Sequence, residues 1–224
     1  MKKILGLTVA FVIFGALLAG CGAPPPLKSD KYLKDTSLLS QDASCSGPCF
    51  HGIIVGKTNF SDALTTIKAD PTFDNVQSQD KSGDKPAGAS WAAKDGDPCC
   101  QLSATLEGVV SAMLVKVAPT MTAQQVIDKF GQPKFVNPVD YTDKEVAVAM
   151  VYPEKGLVAW VTPGDSTSQL AANSPVVMVL FLDPNDWDKI KDTATLQGWN
   201  GFLPYQTYKN ATPVVTPRIT PTAQ

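Results

Sequence analysis

The sequence predicts an α+β fold: two similar modules, each one helix packed on an antiparallel strand meander. Three observations carry the expectation. Helical apolar spacing occurs twice, near residues 58–70 and 120–131, and a proline follows each run. Short apolar segments bounded by turn residues come after each helix. Sliding the chain on itself by 62 residues sets Thr58 on Thr120, Leu64 on Val126, Pro71 on Pro133, Phe73 on Phe135 and Asn75 on Asn137.

In chain order, Lys2-Lys3 precede an apolar run from Ile4 to Leu17, then Leu18-Ala19-Gly20 and Cys21. Basic, apolar and small-residue regions in that order make a secretory signal. The run is short for a membrane-spanning helix, which takes about 20 apolar residues. Ending on cysteine, the segment resembles the signal of bacterial lipoproteins. That resemblance implies that residues 1–20 are removed and that Cys21 becomes a lipidated amino terminus, with a thioether diacylglycerol and an amide-linked acyl group. It implies a lipid-anchored protein of the cell membrane on its extracytoplasmic side, or of the outer membrane where there is one. Two or more acyl chains, at about 0.8 kcal/mol per buried CH2, hold stably. Residues 21–44, with Pro24-Pro25-Pro26 and many polar residues, then read as the lipidated terminus and a flexible stalk.

The 224 residues are 44% hydrophobic, ordinary for a globular protein and enough for one domain or two small ones. The formal net charge is −2, and loss of Lys2 and Lys3 makes the rest more acidic. An acidic surface excludes nucleic acid as a partner and electrostatic binding to anionic lipid. Contact with membrane lipid therefore falls to the acylated Cys21.

Residues 45–118 form the expected first module. Besides Cys21, the cysteines are Cys45, Cys49, Cys99 and Cys100, an even number in an exported chain, which reads as two disulfides. A bridge between neighbours falls below the usual Cα separation of roughly 4.4–6.8 Å. The expected pairing takes one bridge from each of Cys45 and Cys49 to the 99–100 pair. A four-thiolate zinc site suits the pattern less, because adjacent cysteines diverge, and no metal is expected. The single histidine, His51, reads as structural.

Phe60, Leu64 and Ile67 share a helix face, with Thr58 or Ser61 as N-cap and Asp70-Pro71 as stop. Strands are expected at 72–77, 89–93, 103–106 and 109–117. The second module, residues 119–208, opens with Thr120-Met121-Thr122 and a helix carrying Val126, Ile127 and Phe130, closed by Gly131-Gln132-Pro133. Its strands are expected at 134–139, 145–152, 156–162 and 176–182. Asp183-Pro184 starts a short helix in which Trp187 and Ile190, with Leu196 beyond, cover a sheet edge. Trp199 to Tyr205 form an aromatic strap, read as core packing. Residues 209–224 read as a disordered Thr/Pro-rich tail.

Gly56-Lys57-Thr58, an amphipathic helix and a strand meander resemble the small α/β modules of bacterial envelope lipoproteins. These include outer-membrane assembly lipoproteins and the tandem β-lactamase-inhibitor protein. The resemblance implies binding of another envelope protein through an exposed sheet face. No nucleophile motif, phosphate-binding glycine loop or metal-binding histidine pair occurs, so no catalytic residue and no cofactor is expected. The alternative is a ligand-capturing lipoprotein with a small-molecule site between the modules, against Trp91, Trp160 or Tyr152. A hydrolase built on His51 is a third reading.

Overall fold

The structure, a computed structural model, describes residues 24–39, 49–191 and 194–216, with only the backbone of Lys189 and Ile190. The signal segment, Cys21, Cys45, the Ile190 side chain and residues 217–224 lie outside the described residues.

A small hairpin, β1 (Cys49–Phe50) and β2 (Ile53–Ile54), leads into helix α1 (Phe60–Ala69). Phe60, Ala63 and Ile67 make its buried stripe, at the three- and four-residue steps that return to one helix face. The N-cap is Asn59, not Thr58 or Ser61, and its side chain makes no capping hydrogen bond. Thr58 Oγ1 instead accepts from the Ile54 amide. Strands β3 (Phe73–Gln79), β4 (Gly88–Ala93), β5 (Pro98–Ala104) and β6 (Val110–Lys116) follow as a meander.

Helix α2 (Ala123–Phe130) is entered through a capping box: Thr122 Oγ1 accepts from the Gln125 amide, and the Gln125 side chain accepts from the Thr122 amide. Strands β7 (Phe135–Asp140), β8 (Val146–Tyr152), β9 (Leu157–Gly164) and β10 (Val176–Leu182) form a second meander. Helix α3 (Trp187–Lys191), the short strand β11 (Gln197–Gly198) and helix α4 (Tyr205–Lys209) complete the described chain.

The α+β expectation holds. The two meanders merge into one nine-stranded sheet of order β11-β7-β8-β9-β10-β6-β5-β4-β3, with antiparallel neighbours throughout. They join along β6 and β10, where Val115 faces Val179 and Met113 faces Phe181. One hydrophobic core runs through both halves, with Trp91, Met113, Val179 and Met150 under Ile67, Val126 and Tyr208. Both helix entrances are tied to the sheet alike. The Val110 amide donates to Thr58 O and the Phe60 amide to Gly108 O; the Val176 amide donates to Met121 O and the Ala123 amide to Ser174 O.

The opposite face is covered in part. Leu196 lies in one small cluster with Ala149, Val151 and Val158, packed by Trp187 and Val215. Leu27 covers Ala147 and Val177. Over β4–β6 this face presents Ser90, Gln101, Ser103 and Leu114, all partly exposed.

Parts of the expected flexible stalk and of the expected disordered tail are packed. Residues 24–39 form a strap rather than a stalk: Leu27, Tyr32 and Leu33 are 6%, 2% and 4% exposed. Burying side chains of this size contributes roughly 1.5–3 kcal/mol each, enough to hold a short segment down. Leu33 bridges to Val117, the Ala118 amide donates to Leu33 O, and the Asp97 amide donates to Lys31 O. Gly96 permits that approach, since a Cβ there would stand 2.3 Å from Lys31 O. Residues 209–216 are likewise held, Lys209 by a 2.6 Å ion pair with Asp140 and Val215 by a bridge to Leu196.

Candidate functional site

His51 sits in the β1–β2 turn with a φ of 50°, beside Gly52 at 80°. Its Nε2 is 2.5 Å from Asp35 Oδ2 in the strap, and its Nδ1 is 2.6 Å from Asp70 Oδ2 just after α1. Asp70 Oδ1 accepts from the Thr72 amide and hydroxyl, and Asp35 Oδ1 accepts from the Ser37 amide. The rings of Phe50 and Phe73 lie 4.3 and 5.1 Å from the imidazole.

Both ring nitrogens face carboxylate oxygens, so the arrangement suits an imidazolium donating from each. The Asp35 hydrogen bond, with that of Asp70, raises the His51 pKa against the effect of burial. Burial opposes ionisation of Asp35, yet hydrogen bonds from His51 and Ser37 hold its carboxyl below the usual value. Burial likewise acts on Asp70, outweighed by hydrogen bonds from Thr72 and His51. A histidine so committed has no lone pair with which to take a proton from a nucleophile. The geometry is that of a clasp joining strap, hairpin and helix end.

The cysteines correct the expected pairing. Cys99 and Cys100 are bonded to each other, with Cα atoms 3.7 Å apart, and neither reaches Cys49. Cys49 is also in a disulfide, and Cys45 lies outside the described residues. The cause is a β-bulge: Cys100 faces Trp91 and Pro98 faces Ala92, which leaves Cys99 as the extra residue on β5. A bulge re-aims side chains that a regular strand sends to opposite faces. Both cysteines are buried, at 3% and 2% exposure. Strand β5 therefore starts at Pro98, five residues before the expected Ser103.

Trp91, Tyr152 and Trp160 do not gather around one cavity. Trp91 and Tyr152 belong to the main core, and Trp160 packs on the opposite face beside Leu27 and Met178. A cleft at the β8–β9 turn, lined by Tyr152, Pro153, Gly156, Asp183 and Trp187, has a volume of about 10 Å³. That is room for about one water. Among the described residues Trp91 Nε1, Tyr152 Oη and Gln197 Oε1 are buried without a hydrogen-bond partner. No group of three or more His, Cys, Asp or Glu is placed among them to hold a metal ion.

No family model and no curated protein matches the chain. A crystal structure of a DUF4309 family protein (YjgB) from Bacillus subtilis covers 58% of this chain and 82% of its own, at 12% identity and a TM-score of 0.31. Likeness at that level carries no argument about this chain. Among the described residues no helix is long and apolar enough to cross a membrane.

The aspartates of the clasp were not legible as partners of His51. Asp70 reads as a helix stop, and Asp35 falls in a stretch without apolar periodicity. The available signal was one lone histidine in a tight turn, which a neighbouring carboxylate would hold charged.

Proposed function

We propose that the chain is a non-catalytic, lipid-anchored envelope protein that binds another envelope protein through its sheet. Cys21 is its acylation site. The observation that carries the binding role is the face of β4–β6 away from α1. Among the described residues no helix covers Ser90, Gln101, Ser103 and Leu114 there, whereas the other face of the same strands is buried. Small polar side chains around one leucine suit a polar protein surface better than a sealed core. Strand β3 ends the sheet among the described residues, with Gln77, Ser78 and Gln79 exposed beside β4.

The two halves are proposed to be copies of one helix-plus-meander module. The match of backbone ties at the two helix entrances supports this, with Thr58 answering Met121 and Phe60 answering Ala123. The register that fits is one residue longer than the sequence slide suggests. Under it Asn59 falls on Thr122, Ala63 on Val126 and Phe73 on Val136; Phe73 and Val136 both lie in the main core, and Phe135 belongs to the other face.

The test is site-directed photo-crosslinking in intact envelopes. A crosslinking residue at Gln101 is expected to give a discrete heterologous adduct, and one at Asp62 on the exposed side of α1 to give none. Equal patterns at the two positions, or no adduct at Gln101, would remove the sheet-face reading. Palmitate labelling of the protein and of C21S tests the anchor separately.

A further inference from the structure

Residues 24–39 are packed on the fold, so for a body anchored at Cys21 the stance on the membrane is set by the few residues between them. We propose that one end of the sheet, bearing the β7–β8 turn (141–145), the β4–β5 turn (94–97) and the strap, rests against the lipid headgroup layer, with the strands running away from it. The proposal rests on the reading of Cys21 as the acylated terminus.

The chain is held to the fold at Pro25, Pro26 and Leu27. Tyr141 Oη donates to Pro25 O at 2.6 Å, Tyr32 Oη donates to Pro26 O at 2.7 Å, and Leu27 is 6% exposed against Ala147 and Val177. Four peptide steps separate Cys21 from Pro25, a reach of about 14 Å at full extension. The headgroup region on one side of a bilayer is roughly 5–8 Å thick. The whole expected stalk, residues 21–44, would have reached about 80 Å. The difference decides the matter: a stalk that long leaves orientation free, and four peptide steps do not.

The strap contacts of Pro25 to Leu33 fall at the same end of the strands. Leu27 meets Ala147 just after the 141–145 turn and Val177 at the start of β10. Leu33 meets Val117 just past the end of β6, and Lys31 O receives the Asp97 amide in the 94–97 turn. The turns at 80–87, 105–109 and 153–156 lie at the opposite end, beyond strands of about seven residues, or about 23 Å.

The proximal end carries Lys28, Asp95, Asp143, Lys144 and Asn173 exposed, a polar set of mixed charge. The large apolar residues most exposed in the described chain are Leu106, in the distal 105–109 turn, and Val214. The proximal surface therefore lies on headgroups and does not insert. Its position comes from the tether alone.

The experiment uses the full acylated protein in phosphatidylcholine vesicles holding headgroup-nitroxide lipid, which quenches a fluorophore only at short range. D143C and S82C are labelled without reductant, and the unsubstituted protein must take no label. At least threefold stronger quenching is expected at D143C than at S82C. Inserting ten Gly/Ser residues after Ala23 is expected to lower D143C quenching toward the S82C level. Equal quenching at the two sites in a protein whose Cys21 carries acyl by mass overturns the orientation. Quenching at D143C that ignores the insertion overturns the tether argument, because the surface itself would then be binding. Absence of acyl on Cys21, with C21S still on the vesicles, overturns the anchor reading and the orientation with it.

Discussion

The 2.5 Å contact between His51 Nε2 and Asp35 Oδ2 joins the strap to the β1–β2 hairpin. With Asp70 on the other ring nitrogen, the imidazole links three segments distant in sequence.

This clasp makes stability depend on pH. His51 is raised in the fold, so its contribution is complete below the unfolded value of about 6.5 and is lost as pH rises through the raised value. Asp35 and Asp70 are lowered, so theirs is present above about 3.9 and is lost as pH falls through the lowered values. The melting temperature should peak between about pH 4 and 6.5 and decline on the alkaline side. H51Q should cost on the order of 2 kcal/mol at pH 5.5 and abolish the alkaline decline. A wild-type Tm that stays level from pH 5 to 9 contradicts the clasp.

The Cys99–Cys100 bond predicts a peptide lighter by two hydrogens and linked to no other on non-reducing mass spectrometry. Closing so small a ring constrains the unfolded chain little. Its loss in C99S/C100S removes about 1 kcal/mol of loop entropy, against about 4 kcal/mol for a bridge spanning 50 residues. A crosslink between peptides containing Cys49 and Cys100 would refute the pairing.

The two helix caps should differ. Thr122 accepts a side-chain hydrogen bond and Asn59 does not. T122A is expected to cost about 1 kcal/mol and N59A a few tenths, both by urea denaturation. Equal costs would mean that the side-chain cap at α2 contributes nothing.

Because one core spans both halves, a cavity in the first half should lower the stability of both. I67A is expected to cost about 2–5 kcal/mol. Tryptophan fluorescence and far-ultraviolet circular dichroism should still give coincident unfolding curves. Two separated transitions would show halves that fold independently.

At Gly96 a methyl group would meet Lys31 O at 2.3 Å. G96A should push the strap outward and speed proteolysis within residues 27–34 several-fold, with the sheet core still protected in hydrogen exchange. Unchanged cleavage would show that the strap is not seated there.

The strands were legible where apolar residues alternate or run together between clear turns, as in β10 at Val176–Leu182. Both long helices were legible from their periodicity. Phe73 and Phe135 align in the sequence slide but lie on opposite faces, because a shift of one residue turns a strand over. The bulge at Cys99 leaves no mark in composition, and a regular strand would have kept the two sulfurs apart. The strap was missed because Leu27, Tyr32 and Leu33 are few and unevenly spaced, and their burial depends on surfaces made by residues far along the chain. The open face over β4–β6 has a sequence trace, in Ser90, Gln101 and Ser103 alternating with core residues.

The seam between β6 and β10 pairs Val115 with Val179, and in a directional polymer that separation is also a delay. At roughly 5–20 residues per second of synthesis, β6 is complete several seconds before its neighbour exists. Until then its outer backbone groups have no partner. Export as an unfolded chain would spare the nascent protein that interval and move the hazard to the far side of the membrane.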